Sequence, residues 1–176
     1  MIKYLSSNNS ADIIILIFFS FFINFYYSNI GVLPQDTFAY YDTAFRILNG
    51  AIPFKDYWTV SGPAIDYIQS VFFYLFGVNW QIYTINGSII NCLITLTLYF
   101  LLQTYKLTRG LNFFYCFCFS VLANPSMGVA FPDHYSTFFS LIAVFFFLIV
   151  IKFDNKILWN LIPFSFFLAF FSKQSP

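Results

Sequence analysis

The sequence predicts an all-α fold: a polytopic membrane helical bundle of about five transmembrane helices, with two short interfacial helices in the first outer loop. Composition is the first reason, since the 176 residues are 60% hydrophobic and only 9% charged, whereas soluble domains carry roughly 25% charged residues. The second is the content of 28 Phe and 13 Tyr, which suits helices that face lipid. These features exclude a soluble enzyme and a disordered tail, and a net charge of +1 excludes a nucleic-acid binder.

Five apolar runs are predicted to span the membrane, because crossing it takes about 20 mostly apolar residues in a helix. They comprise residues 13–33, 82–102, 111–123, 136–151 and 157–171. The third run is short unless it tilts or extends to about residue 129. A sixth run, 67–78, is only about 12 residues long, which suits an interfacial or re-entrant helix. The first run follows Lys3 without a convincing cleavage site, so we predict a retained signal anchor.

The distribution of charge predicts the orientation of the bundle. With a cytoplasmic N-terminus and alternating spans, five of the eight basic residues fall on the cytoplasmic side, as the positive-inside rule favours. Five of the seven acidic residues fall on the outer side: Asp36, Asp42, Asp56, Asp66 and Asp133. We therefore expect an integral protein of the inner (plasma) membrane whose chemistry takes place on the extracytoplasmic face.

The first outer loop, residues 34–81, is about 48 residues long, and loops beyond about 15 residues usually have structure or function of their own. Pro34 ends the first span. After Asp36, apolar residues recur at helical spacing, at Phe38, Tyr41, Phe45 and Leu48. This pattern predicts a short helix with one apolar face on the membrane, ending at Asn49-Gly50.

The rest of this loop is predicted to continue as an extended segment, residues 51–58, before Pro63 opens the second short helix. Its charged residues each have a structural interpretation beside a functional one. The structural alternatives are a helix N-cap for Asp36, a solvated i,i+4 pair for Asp42 and Arg46, an interfacial anchor for Lys55, and a helix-dipole partner for Asp66.

Several short motifs, in order along the chain, resemble the first outer loop of C-type glycosyltransferases. They are QDTFAY at residues 35–40, LNG at 48–50, PFKDY at 53–57, Gly62-Pro63 and FYLFG at 73–77. The nearest likeness is to bacterial members of the dolichyl-phosphate-mannose-protein mannosyltransferase and aminoarabinose-transferase group. The resemblance continues from residues 124–125 to 133–134 and in FSKQ at 171–174. The family often has Asp-Glu where this chain has Asp36-Thr37, and Thr where it has Ser172.

The resemblance implies a membrane glycosyltransferase that transfers a sugar from a polyprenyl-phosphate donor to an acceptor at the extracytoplasmic face of a bacterial cell envelope. The acceptor would be a lipid, a glycan or a protein, and the lipid bilayer is a further partner. Asp36 is implied as the general base. Lys173 is placed to stabilise the leaving phosphate, with a snorkelling lysine as the structural alternative. The other implied substrate-binding residues are Tyr40, Arg46, Lys55, Asp133 and His134.

Asp133 and His134 form the second group of interest, because a carboxylate and an imidazole can share a divalent metal or position an acceptor. Asp133 has a structural alternative as the cap of the fourth span, behind Pro132. His134 is the only histidine, which excludes a multi-His site within this chain. No residue is therefore assigned as a metal ligand, and a divalent metal is the only cofactor left open. The three cysteines, all inside predicted spans, are expected to pack as small apolar residues.

Two other functions stay open: a transporter or flippase fragment for a lipid-linked or small substrate, and a non-catalytic membrane subunit. Transporters tend to carry charged or broken sites at mid-membrane. Here the predicted spans carry no charge well inside them, and Pro163 is the only clear proline break. C-type glycosyltransferases generally have more than five spans, so residues 1–176 are interpreted as the single N-terminal transmembrane module of a longer protein, inactive by itself.

Overall fold

The computed structural model describes residues 10–31, 34–59, 61–122, 129, 131–153 and 156–174, without the side chains of residues 34–36, 153 and 156. Within these residues the chain forms seven helices and no β-strand. The helices are α1 (Ser10–Ser28), α2 (Pro34–Leu48), α3 (Ala64–Phe76), α4 (Trp80–Thr104), α5 (Arg109–Leu122), α6 (Pro132–Phe153) and α7 (Lys156–Ser172). The predicted all-α fold is confirmed, and the two short helices of the outer loop are present as α2 and α3.

Three of these helices, α1, α4 and α6, are long and apolar enough to cross a membrane. This agrees with the predicted class of helical membrane bundle. The third and fifth predicted spans correspond to α5 and α7, which are apolar but only 14 and 17 residues long, short of the roughly 20 that a span needs. The count of five spans therefore stays a prediction. The extension of the third span lies outside the described residues except at residue 129.

The burial of α1 is inverted relative to a helix of a soluble protein. Its buried positions recur every fourth residue and, apart from one leucine, are polar: Asp12, Leu16, Ser20, Asn24 and Ser28. Its exposed positions are large and apolar, among them Ile14, Phe18 and Phe22. Polar side chains turned inward and apolar ones turned outward are typical of a helix whose outer face meets lipid, where small and polar residues mediate helix contacts. α5 repeats the spacing, with Asn112, Cys116 and Ser120 buried.

Hydrogen bonds between buried polar side chains and neighbouring helices join α1, α4 and α5. We call this contact the polar seam. The amide nitrogen of Asn24 donates to the Ser88 hydroxyl at 3.1 Å, joining α1 to α4. The amide nitrogen of Asn91 on α4 donates to the carbonyl oxygens of Ser20 on α1, at 3.0 Å, and of Ser120 on α5, at 3.3 Å. Because lipid offers no competing hydrogen-bond partners, such bonds specify which helix faces pack together.

Asn91→Leu is expected to reduce the free energy of unfolding by about 1–2 kcal/mol, because it removes both hydrogen bonds that join three helices. The measurement is unfolding of the purified protein in detergent micelles. Thr97→Leu is the matched control, since the Thr97 hydroxyl bonds only to the Leu93 carbonyl of its own helix. If the two variants were equally stable, the polar seam would not stabilise the packing of α1, α4 and α5.

One end of the bundle is closed by a bidentate ion pair. Nε and Nη2 of Arg109 donate to the two carboxylate oxygens of Asp12 at 2.8 and 2.9 Å. The Tyr99 hydroxyl donates to the same carboxylate at 3.2 Å. The pair joins the start of α1 to the start of α5, and Asp12 and Arg109 are both predicted to lie on the cytoplasmic side. Which end of the bundle faces the cytoplasm stays a prediction.

Candidate functional site at the loop end

The outer loop meets the end of α7 at the opposite end of the bundle, which we call the loop end. It comprises α2, α3, the segment 51–59, the start of α6 and the end of α7. They approach closely at Gly62, where a Cβ atom would lie only 1.7 Å from the carbonyl oxygen of Phe171. The backbone ahead of α3 therefore packs directly on the last turn of α7. This places residues from three distant parts of the chain at one end of the molecule.

Two of the predicted substrate-binding residues, Asp133 and Lys173, form an ion pair. They are 40 positions apart in sequence; Asp133 lies in the first turn of α6 and Lys173 directly follows α7. Their side chains are 50% and 39% exposed, so both groups are accessible. Asp133 is inside α6 rather than at its N-cap, since the helix already begins at Pro132. Its carboxylate still lies where the helix dipole favours an anion.

The start of α6 is tied to the outer loop by a chain of buried side chains that sequence reasoning missed. The Tyr135 hydroxyl donates to the amide oxygen of Asn86 at 2.8 Å. The amide nitrogen of Asn86 donates in turn to the side-chain oxygen of Gln69 at 2.6 Å. All three side chains are almost fully buried. The chain fixes α6, and with it Asp133 and the half-buried His134, relative to α3 and α4.

The sequence did not predict which face of α2 packs on the bundle. Thr37, Tyr40 and Ala44 are buried, whereas Phe38 and Phe45 are 48% and 44% exposed. The small buried residues Thr37 and Ala44 let the helix approach its neighbours, and the outward position of Phe38 and Phe45 is compatible with the predicted apolar face on the membrane. Tyr40, an implied substrate-binding residue, is only 7% exposed and packs edge-on against Phe131, ring centroids 5.7 Å apart.

Arg46 and Lys55 are the two remaining basic candidates. Among the described residues, neither forms an ion pair with Asp133. Nε of Arg46 donates to the Asp42 carboxylate at 2.7 Å, with both side chains more than half exposed, which confirms the predicted i,i+4 pair. Arg46 also borders a shallow depression of about 290 Å³, together with Phe45, Asn49 and Ala51. Lys55 is exposed in the segment that follows.

The predicted loop at residues 51–58 is present, but it is not extended throughout, because residues 52–57 form a tight turn. Pro53 and Tyr57 form an isolated β-bridge, and Phe54 in between has a positive φ of 65°. The Asp56 carboxylate accepts a hydrogen bond from the Ile52 backbone nitrogen at 2.8 Å and so closes the turn. Side-chain capping of this kind lets aspartate compete with extended structure.

Asp36, the predicted general base, falls in the first turn of α2, but its side chain lies outside the described residues. The backbone beside it is well anchored. The Tyr83 hydroxyl, from α4, donates to the carbonyl oxygen of Thr37 at 2.8 Å, and the Thr37 side chain is fully buried. The start of α2 is therefore held at the loop end by α4.

Asp66 is the charged residue whose surroundings the sequence did not reveal. It lies in the first turn of α3, as predicted, but its side chain is completely buried. The Thr43 hydroxyl donates to one carboxylate oxygen at 2.7 Å and the Tyr57 hydroxyl to the other at 3.2 Å. Burial raises the pKa of Asp66 to about 6, although these donors act in the opposite direction. The sequence signal for this burial was an acidic residue near the start of a helix that is otherwise mostly apolar and aromatic.

The described side chains do not fit a protein-bound divalent metal site. Among them, no three His, Cys, Asp or Glu residues come together. The carboxylate of Asp133, which the sequence offered as a ligand beside His134, is paired with the Lys173 ammonium. The described cysteines are free thiols, with Cys92 and Cys116 buried, in keeping with a packing role.

Comparisons with known proteins identify no relative: no protein-family model, curated protein or solved structure matches this chain. The resemblance to C-type glycosyltransferases therefore stays a prediction from the motifs quoted above.

Proposed function

We propose that the protein is a membrane glycosyltransferase that transfers a sugar from a polyprenyl-phosphate donor to a lipid, glycan or protein acceptor on the extracytoplasmic face of the membrane. The observation that carries the proposal is the accessible Asp133–Lys173 pair at the loop end, beside the loop whose first helix contains Asp36. A candidate base and a candidate phosphate-binding cation thus belong to the same end of the bundle, as this chemistry requires.

Lys173 is the proposed contact for the donor phosphate. The ammonium is only partly exposed and has one carboxylate partner, which an incoming phosphate can replace or share. The neighbouring surface of α7 is apolar, with Phe166, Phe167 and Phe170 exposed. A polyprenyl chain lying along this surface would bring its phosphate to the level of Lys173. Negative charge builds up on the phosphate as the bond to the sugar breaks, and a fixed cation stabilises that charge.

Asp36 is the proposed general base of a single displacement with inversion. The acceptor hydroxyl oxygen forms a bond to the anomeric carbon while the bond between that carbon and the phosphate oxygen breaks. The hydroxyl proton passes to the Asp36 carboxylate, and the electron pair of the broken bond leaves with the polyprenyl phosphate. No oxidant, reductant or further reactant is needed. The charge that builds up on the leaving group is assigned to the ammonium of Lys173.

A transporter or flippase is the second candidate, because buried polar groups lie between α1 and α4, within two helices long enough to span the membrane. Polar groups at mid-membrane often mark a transport path. Here, however, the amide nitrogens of Asn24 and Asn91 bond to groups of neighbouring helices, so these two nitrogens act as helix contacts. The accessible Asp133–Lys173 pair lies at the loop end and not between these helices, which favours surface chemistry.

The test measures transfer of radiolabelled sugar by membranes that contain the full-length gene product. A panel of polyprenyl-phosphate sugars serves as donors. Lys173→Gln is expected to lower kcat/KM for the donor about 10- to 100-fold, the effect of losing one hydrogen bond to a charged group. Lys152→Gln, at the far end of α6, is the matched control and should behave as wild type. Absence of transfer from every donor, together with lipid movement across vesicles, would favour the flippase instead.

A further inference from the structure

Asp66 connects three segments of the outer loop from a position with no exposure to solvent. The carboxylate belongs to α3. The Thr59 hydroxyl, just after the 52–57 turn, helps to stabilise its charged form, and the donors Thr43 and Tyr57 belong to α2 and to the turn. The two donors are 23 and 9 residues away in sequence. Tyr41 of α2 also packs on Phe73 of α3, with ring centroids 4.9 Å apart, and Asp66 adds the turn to this contact.

No cation forms an ion pair with Asp66 among the described residues. Arg46 of α2 is paired with Asp42, and Lys173, beyond α7, is paired with Asp133. The group facing Asp66 from the turn is Tyr57, whose pKa is raised by burial and by the charge of Asp66 itself. From α4 the neighbouring titratable group is Tyr83, which is fully buried. The ionised carboxylate is therefore stabilised mainly by neutral hydroxyl donors.

A buried carboxylate without a cation is costly when it is ionised and much less so when it is protonated. If the loop opens and exposes Asp66 to water, the carboxyl group returns to its usual pKa near 3.8. The closed loop thus binds a proton more tightly than the open one. By linkage, closure is favoured at pH values below about 4 and becomes less favourable as pH rises through about 6.

We propose that Asp66 is the positioning residue of the outer loop: it clamps α2 and the 52–57 turn onto α3, and its ionisation loosens the clamp. The residues so positioned include Arg46 on α2 and Lys55 in the turn. The proposal concerns the mechanical coupling of the loop, so it holds whether or not the protein is a glycosyltransferase. It predicts an outer loop that opens more readily at neutral pH than in mildly acidic surroundings.

The test is hydrogen exchange of the full chain in detergent or nanodiscs, with backbone protection factors for α2 and the turn corrected for the intrinsic pH dependence of exchange. The two pKa values, about 6 when closed and near 3.8 when open, predict that protection falls about tenfold between pH 5 and pH 8. Asp66→Asn keeps a group that can accept from Thr43 but does not titrate. Its protection factors are expected to be independent of pH over this range.

Two further variants make the outcome decisive. Asp42→Asn changes an exposed carboxylate of the same loop and should keep the tenfold dependence of wild type. Tyr57→Phe removes one donor to the charged form, so the fall in protection should move to higher pH. Protection in wild type that does not change with pH would overturn the proposal, as would an unchanged dependence in Asp66→Asn. If Asp66→Asn fails to fold, Tyr57→Phe decides the question. A shift of the fall in protection to higher pH supports the proposal, and no shift or a shift to lower pH overturns it.

Discussion

Replacing Gly62 with alanine is expected to separate the outer loop from the end of α7 and to lower the free energy of unfolding by about 3 kcal/mol. The added Cβ atom would lie 1.7 Å from the carbonyl oxygen of Phe171 and 2.2 Å from its carbon. Both are backbone atoms, which cannot turn aside as a flexible side chain can. Either the segment ahead of α3 or the last turn of α7 must move, and Lys173 directly follows that turn.

Thermal unfolding in detergent micelles measures the loss of stability, and Gly110→Ala is the control. Gly110 lies in the first turn of α5, where nothing comes within 4 Å of an added Cβ atom. Alanine also favours helix over glycine by up to about 1 kcal/mol, so this variant should be as stable as wild type or more so. Equal melting temperatures for the two variants would show that the loop does not rest on α7 as described.

Asp36→Asn is expected to reduce sugar transfer about 100- to 10,000-fold, the usual contribution of a general base. The amide has nearly the same shape as the carboxylate but cannot take the acceptor's proton. Because the neighbouring backbone is held by Tyr83 and by the buried Thr37 side chain, α2 should keep its position. The effect should fall on kcat, while the KM for the donor should change little, since Lys173 and not Asp36 is assigned to the phosphate.

The measurement is the rate of transfer in membranes containing equal amounts of inserted protein, with Asp42→Asn as the matched control. Asp42 lies on the same helix, and its exposed carboxylate pairs with Arg46, so its substitution should leave kcat close to the wild-type value. Equal transfer by Asp36→Asn and wild type would leave Asp36 with only a structural place in the first turn of α2 and assign the base to another residue.

The helices could be predicted from the sequence because their cause is local. Each apolar run coincides with a helix, although α4 and α6 extend beyond their runs to 25 and 22 residues. Asn49-Gly50 marks the end of α2, where Gly50 has a φ of +90°. The buried face of α2 could not be predicted in the same way. Which residues of a helix pack inward depends on its neighbours, and small residues such as Thr37 and Ala44 give no hydrophobic signal that distinguishes them from exposed positions.

The candidate site was predicted only in part, because its contacts join residues far apart in the chain. Charge and alternation of spans predict that Asp133 and Lys173 share one side of the membrane, but not that they touch. The burial of Asp66 depends on Thr43 and Tyr57, which reach it from other segments. The sequence of α3 shows only that Asp66 lies near the helix start, where the helix dipole favours an acid. For that reason the sequence predicted a dipole partner and not a buried carboxylate.

The polar seam has a consequence for the order in which the chain can assemble. During synthesis α1 enters the membrane well before α4, since α2 and α3 lie between them in the chain. Until α4 is inserted, Ser20 and Asn24 face lipid or the translocation machinery, because their hydrogen-bond partners Asn91 and Ser88 are not yet in the membrane. Nascent chains that end before residue 88 should therefore be held at the insertion site longer than the apolar length of α1 suggests, and be released once α4 has joined them.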